Sequence, residues 1–260
     1  MTTPDNPAFG TASEAFEGYY DTVRGYVREE VTRIDLLEHL PEDELSVLDV
    51  GGGAGRDAIW LARRGHRVRV VDPSVEQTVI ATVHADMAGV TERVRIEQGD
   101  TEAILRADAE QYDVVLSHGV LMYVPDPEAH LNLLHDKVRP GGIVSILTKG
   151  KEGSLQRLRQ AGKHDEADRL HQTGRMINNL GFDVLAVDEP EMSRLLGGAA
   201  LRLTAWYGVR ITSDADNRKI AEVPVDEMSN IIEDEIRFAA EPSMRAKGQM
   251  LHFICTREEQ

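Results

Sequence analysis

The chain has 260 residues, 41% of them hydrophobic and 28% charged, the make-up of a globular protein with room for one large α/β domain or two small ones. Forty-five acidic residues against 29 lysines and arginines give a formal net charge of −16, which excludes a bulk electrostatic grip on DNA or RNA and leaves only a local basic patch for such a role. Cys255 is the single cysteine, so no internal disulfide and no cysteine-held zinc is expected, and the spacing of the acidic residues suggests no other metal site. Met1 to Gly10 lacks the apolar core of a signal peptide, and no apolar run reaches membrane-spanning length. A cytoplasmic protein is expected.

Residues 1–12 read as a loose tail. From Ser13, a candidate helix cap, to Leu40, apolar residues recur at helical spacing (Phe16, Tyr19, Tyr20, Val23, Val27, Val31, Ile34, Leu37), and Pro41 ends the run. A buried-strand signature, Leu45 to Val50, leads directly into Gly51-Gly52-Gly53-Ala54-Gly55. A helix over Asp57–Arg64 stops at Gly65, and a strand over Arg67–Val71 is followed by Asp72 and Pro73. Helix Val75–Ala88, strand Val94–Gln98, a short helical piece and strand Tyr112–Ser117 continue the alternation. Helix Pro127–Val138 then ends at the turn Arg139-Pro140-Gly141-Gly142, which opens strand Ile143–Thr148. Strands separated by helices of this length predict a doubly wound, mostly parallel sheet with helices on both faces. Beyond Lys149 the spacing predicts a helix over Gly153–Leu180 broken near Gly162 and Gly174, then strand Phe182–Asp188 and helix Glu191–Leu196. Strand Leu203–Ile211, an acidic surface helix over Glu227–Ala240 and a closing strand Met250–Thr256 complete the chain. The expectation is one domain of 260 residues, with a helical cap over 1–44, a ligand-binding core over 45–148, a helical insertion or lid over 149–180 and C-terminal strands and helix over 181–260.

The glycine run carries the chemistry. Glycines let the backbone turn tightly and let a ligand approach with no Cβ in the way, at the crevice where nucleotide-like ligands bind. The dinucleotide fingerprint G-x-G-x-x-G fails from Gly51, because its last position is Arg56, and from Gly53 it holds only in the permissive form ending at Ala58. An acidic residue followed by x-G-x-G-x-G is satisfied in full by Asp49, Gly51, Gly53 and Gly55, with Gly52 inside it. Asp72, closing the second strand about 20 residues on, is placed to accept ribose hydroxyls under either reading.

The run from Asp49 to Gly55 resembles the glycine-rich motif of class I S-adenosylmethionine-dependent methyltransferases. Three further segments resemble later motifs of that family: Gly99-Asp100-Thr101, Ser117-His118-Gly119-Val120-Leu121, and Leu133 to Gly142 with its Pro-Gly-Gly turn. The resemblance implies a Rossmann-like fold with an antiparallel strand near the C-terminal end, and S-adenosyl-L-methionine as cofactor. It implies cofactor contacts from Asp49, Gly51, Gly52, Gly53, Gly55, Asp72, Pro73, Asp100, Thr101, Ser117 and His118. Outside the core, Tyr20 to Arg28, Gly65-His66, Tyr207 to Arg210 and Glu241-Pro242 resemble the bacterial tRNA 5-carboxymethoxyuridine methyltransferases. In that subfamily the arginine matching Arg28 holds the cofactor carboxylate. Thr148 and Lys149 replace aromatic side chains of those relatives, and the insertion is less basic.

Around the acceptor, His118 and Tyr20 are the candidate catalytic groups, and Tyr19, Tyr123, Lys149, Arg175 and Arg210 the candidate substrate contacts. A carboxylate acceptor needs no base, whereas a hydroxyl does. The expected activity is methyl transfer to an oxygen, a carboxylate among the candidates, on a small molecule. Methyl esterification of 5-carboxymethoxyuridine in tRNA and a non-catalytic cofactor-binding regulator are the alternatives.

Overall fold

Strand β1 (Ser46–Val50) is buried on both faces because helices cover the sheet on each side. Val47 joins one apolar cluster with Val27, Ala58 and Leu61, and Leu48 and Val50 join another with Leu131, Leu134 and Leu195. A fully buried leucine or valine contributes roughly 1.5–3 kcal/mol, so these central strands form the rigid part of the molecule. The computed structural model describes residues 18–178 and 180–258. The expected tail, the Ser13 cap and Phe16 lie outside the described residues.

Helix α1 (Val23–Leu37) is capped by Thr22, whose side chain accepts from Gly25 N, and buries Val23, Val27 and Val31. After β1 come α2 (Arg56–Ala62), β2 (Arg67–Asp72), α3 (Val75–Met87), β3 (Val94–Gln98), α4 (Thr101–Ala107), β4 (Tyr112–His118) and α5 (Pro127–Lys137). These elements fall within a residue or two of the sequence expectation. β5 (Val138–Gly150) is longer than expected: the Pro-Gly-Gly turn is absorbed into the strand, with a register irregularity against β4 between Tyr112 and Val114.

The insertion holds α6 (Lys151–Gln160) and α7 (His164–Thr173). The helix does not continue to Leu180 as expected. Gly174 ends it in the left-handed conformation (φ 68°), and β6 (Arg175–Ile177) then pairs antiparallel with β7 (Asp183–Val187). β7 runs parallel to the last residues of β5, Lys149 opposite Ala186, beyond the point where β4 ends at His118. Next come α8 (Glu189–Gly198), β8 (Leu201–Val209), α9 (Val225–Ala239) and β9 (Met250–Arg257).

β1 to β5 are parallel in the order β3-β2-β1-β4-β5. β9 lies antiparallel between β5 and β8, giving the antiparallel strand expected near the C-terminal end. The strand order turns at β1 and β4, where an open α/β sheet leaves its crevice. Among the described residues no helix is long and apolar enough to cross a membrane.

Candidate active site

A cleft of about 1690 Å³ opens at the carboxyl ends of β1, β2, β4 and β5. Ordinary single-ligand pockets run to roughly 300–1,000 Å³, so this cleft has space for two ligands side by side. Its lining carries Asp49, Asp72 and Asp100 on or just after β1, β2 and β3, with Arg28, Arg56 and Arg106 also in the lining, and it carries Arg24, Lys149, Arg157 and Arg210 from α1, β5, α6 and the end of β8.

At the glycine-loop end the backbone has no spare space. Gly51 and Gly53 have φ of 69° and 51°, in the left-handed region. A Cβ on Gly51 would come within 2.6 Å of Val120, and one on Gly52 within 2.4 Å of Asp49 Oδ2. Asp72 fixes the loop: its Oδ2 accepts from Gly53 N at 2.9 Å and its Oδ1 from Ser74 N at 2.8 Å. Lone pairs remain on both oxygens for ribose hydroxyls. Pro73, Asp100 and Thr101 line the same end, and Asp100 caps α4 through Ala103 N. Asp49 is 3% exposed, and its burial, with Asp57 and Asp72 nearby, pushes its carboxyl well above the usual range.

Two of the expected cofactor contacts sit elsewhere. Gly55 is the left-handed cap of α2 (φ 71°) and packs toward Ala81 of α3, where a Cβ would come within 3.1 Å. Ser117 is fully buried, with its hydroxyl 2.9 Å from Nε2 of His130, and it is His130 that lines the cleft.

His118 lines the cleft, but both of its ring nitrogens are engaged. Nδ1 donates to Asp57 Oδ2 at 2.9 Å, and Nε2 lies 2.8 Å from Ser145 Oγ. Ser145 in turn meets His252 Nε2 at 2.7 Å, and His252 Nδ1 lies 3.4 Å from Asp35. Burial alone would raise Asp57, yet the bond from His118 and the nearby Arg33 and Arg28 hold it well below the usual carboxylate range. This five-residue chain crosses the sheet and holds His118 in place. Neither ring nitrogen of His118, a candidate catalytic group from the sequence, is without a partner in this structure.

The Tyr20 hydroxyl, the other candidate catalytic group, is engaged as well. Burial raises its phenol against the pull of Arg28, its hydroxyl accepts from Arg28 Nη1, and the Arg56 guanidinium lies 4.3 Å from its ring centre. Arg28 keeps its charge despite burial, through Tyr20, Tyr19 and Asp57. Its Nε is buried with no hydrogen-bond partner among the described residues.

Among the cationic lining residues, Tyr19 lies between Arg24 and Arg210, whose guanidinium carbons are 5.5 and 5.6 Å from its ring centre. Arg210 donates to Tyr19 Oη at 2.9 Å and to Asp214. Arg210 itself has φ 60°, which is unusual for a residue with a side chain. The loop beyond it is held by Glu235, whose carboxylate accepts from the backbone N–H of Ile211, Thr212 and Ser213 at 2.7–2.8 Å. Glu235 is fully buried, which corrects the reading of the acidic helix as surface throughout. Lys149 lies at the end of β5, with Nζ 3.4 Å from Gln249 Oε1. Its burial, then Arg210, Arg157 and Arg24, pushes its ammonium well below the usual lysine range. Tyr123 also lines the cleft and accepts from Asn178 at 3.2 Å. Arg175, expected at the substrate, instead donates to Asp183 at 2.8 Å across the β6–β7 hairpin.

A methyltransferase-domain family model matches residues 21–187, more than half of the chain. The chain belongs to the S-adenosylmethionine-dependent methyltransferase family. This methyltransferase is 32% identical over 161 residues to the tRNA 5-carboxymethoxyuridine methyltransferase of Escherichia coli K12, a stretch covering 60% of this chain and 62% of that one. It is 29% identical over 153 residues to a ubiquinone biosynthesis O-methyltransferase of Psychrobacter cryohalolentis, covering 55% of this chain and 57% of that one. The chain thus spans about three fifths of these curated relatives. Among solved structures, the Burkholderia thailandensis 1,6-didemethyltoxoflavin-N1-methyltransferase, with its substrate and S-adenosylhomocysteine bound, superposes with a TM-score of 0.60 at 20% identity. That superposition covers 100% of this chain and 92% of the other, a likeness of fold.

The residues present fit the family's cofactor, S-adenosyl-L-methionine. A loop that leaves no room for a Cβ lies beside an acidic pair, and a buried arginine there has an unpartnered Nε. Asp72 would take the ribose, Asp49 the methionine ammonium and Arg28 its carboxylate. The ammonium favours ionised Asp49, so binding should release a proton from a carboxyl whose empty-site pKa is raised. Calorimetry of S-adenosylhomocysteine binding in buffers of different ionisation enthalpy should show net proton release, with affinity rising as pH climbs through that raised pKa.

Proposed function

We propose that this methyltransferase moves the methyl group of its cofactor to a carboxylate oxygen of a small anionic molecule, giving a methyl ester. The supporting observation is the set of cationic side chains Arg24, Lys149, Arg157 and Arg210 in the cleft of a protein whose net charge is −16. Lys149, with Arg210 behind it, would hold the carboxylate, and an arriving anion would offset the burial and the neighbouring guanidinium groups that lower the Lys149 ammonium. When bound, S-adenosylmethionine supplies a sulfonium methyl that a carboxylate oxygen takes directly: the O–C bond forms as C–S breaks, and both charges disappear with no proton to remove. A base is therefore unnecessary, in keeping with the engaged nitrogens of His118 and the raised phenol of Tyr20. The protein contributes position and exclusion of water, from Tyr19, Tyr123 and the β6–β7 hairpin. A cytoplasmic setting, where the buried Cys255 stays reduced, belongs to the same proposal.

The depressed lysine favours a second reading. Burial beside Arg210, Arg157 and Arg24 makes Lys149 readier than an ordinary lysine to act as a base toward a hydroxyl, and the product would then be an ether. Labelled methyl transfer from S-adenosylmethionine to a metabolite extract and to bulk tRNA, followed by mild alkali, separates these outcomes. The ester reading expects small-molecule label released as methanol. Alkali-stable label points to the hydroxyl reading, and label confined to tRNA to the esterification of 5-carboxymethoxyuridine. Cofactor binding with no transfer to any acceptor would leave a regulator.

A further inference from the structure

Two of the arginines that line the cleft, Arg24 and Arg157, have neither an assigned part in this reaction nor an ion pair among the described residues. Arg24 comes from α1 and Arg157 from α6, so the helical cap and the insertion each contribute one. Both line the cleft. Among the described residues each has a buried Nε with no hydrogen-bond partner, and neither forms an ion pair with a carboxylate. The carboxylate that acts most on Arg157 is Glu166, which is bonded to Lys163 at 2.9 Å. Arg24 is held by the face of Tyr19 and not by an anion.

Such an arrangement carries an electrostatic cost. Arg24 and Arg157 repel one another, and Arg24 also repels Lys149 and Arg210. Arginine cannot relieve this by losing its proton. Two guanidinium groups that line one cleft and act on one another electrostatically offer several donors, more than one planar carboxylate needs. A phosphate monoester has three terminal oxygens and a charge near −2, which matches two arginines in both donor number and charge.

We propose that Arg24 and Arg157 form an oxyanion subsite for a phosphate monoester carried by the methyl acceptor, separate from the oxygen that receives the methyl group. The inference deepens the proposed function and rests on its reading of the cationic lining residues as the acceptor site. It makes the acceptor a phosphorylated carboxylic acid. It also gives an acidic protein a local site of positive potential for a polyanion.

The test needs no turnover, so its failure is distinct from a failure of the ester reading. Inorganic phosphate is titrated calorimetrically into the S-adenosylhomocysteine complex at constant ionic strength. Saturable binding is expected to strengthen as phosphate becomes dianionic, above roughly pH 6. Dimethyl phosphate, which stays monoanionic, should bind at least about tenfold more weakly. Arg24→Gln and Arg157→Gln should each weaken phosphate binding about tenfold with S-adenosylhomocysteine affinity kept, and Arg157→Lys should recover part of the loss. The exposed Arg169→Gln, which loses only a pair with Asp183, should leave phosphate binding unchanged. No saturable phosphate binding in the wild type, equal binding in the glutamine variants, or equal binding of dimethyl phosphate would overturn the proposal. Should one variant fail to bind S-adenosylhomocysteine, the other, together with the diester comparison on the wild type, decides the matter.

Discussion

Arg28→Ala is expected to weaken S-adenosylhomocysteine binding about 100-fold while the far-ultraviolet dichroism and unfolding cooperativity stay those of the parent. The guanidinium is buried, it keeps its charge against burial through Tyr20, Tyr19 and Asp57, and its Nε has no hydrogen-bond partner among the described residues. A ligand carboxylate would complete it with charge-assisted hydrogen bonds worth about 3 kcal/mol, or roughly two powers of ten in affinity. The same substitution frees the Tyr20 hydroxyl, which Arg28 holds in the structure. Arg28→Lys should recover only part of the affinity, because a lysine offers a point charge in place of a planar fork. Unchanged affinity in the alanine variant would remove Arg28 from the cofactor site.

Glu235→Ala is expected to cost about 3 kcal/mol of stability, a fall in melting temperature of roughly 10 °C for a protein of this size. The carboxylate is fully buried and satisfies three successive backbone N–H groups and the Thr212 hydroxyl. Its removal leaves those donors unpaired in the loop that also stabilises the left-handed Arg210 (φ 60°). Acceptor binding should therefore weaken as well, with S-adenosylhomocysteine affinity nearly unchanged, because Arg210 has no assigned part in cofactor binding. Glu235→Gln keeps one accepting oxygen and should recover much of the stability. A stable alanine variant would show that the loop is held by other contacts.

The parts of this site legible in the sequence are those that local rules govern. Asp49 and the glycines after it announce the end of a buried strand and a turn that only glycine permits, and Asp72 follows at the distance that one helix and one strand impose. The acceptor end depends on tertiary convergence. Arg24 and Arg157 lie far apart in the chain, on α1 and α6, and come to line one cleft only through the tertiary fold. Glu235 is one acid in a run of acids, and nothing local distinguishes it from Glu233 or Asp234. A histidine after the fourth strand reads as a base, whereas the chain from Asp57 to Asp35 that engages both its nitrogens draws on five separate elements. Arg175 was expected at the substrate on charge alone, and Gly174 turned the backbone into a hairpin that pairs it with Asp183.

The assignment of the glycine-loop end of the cleft, with Asp72, to the adenosyl group of the cofactor is tested most directly by calorimetric titration of the wild-type protein with S-adenosylhomocysteine. One saturable site per chain is predicted, abolished or strongly weakened by Asp72→Ala. No detectable binding, or equal affinity in the Asp72→Ala variant, would contradict it.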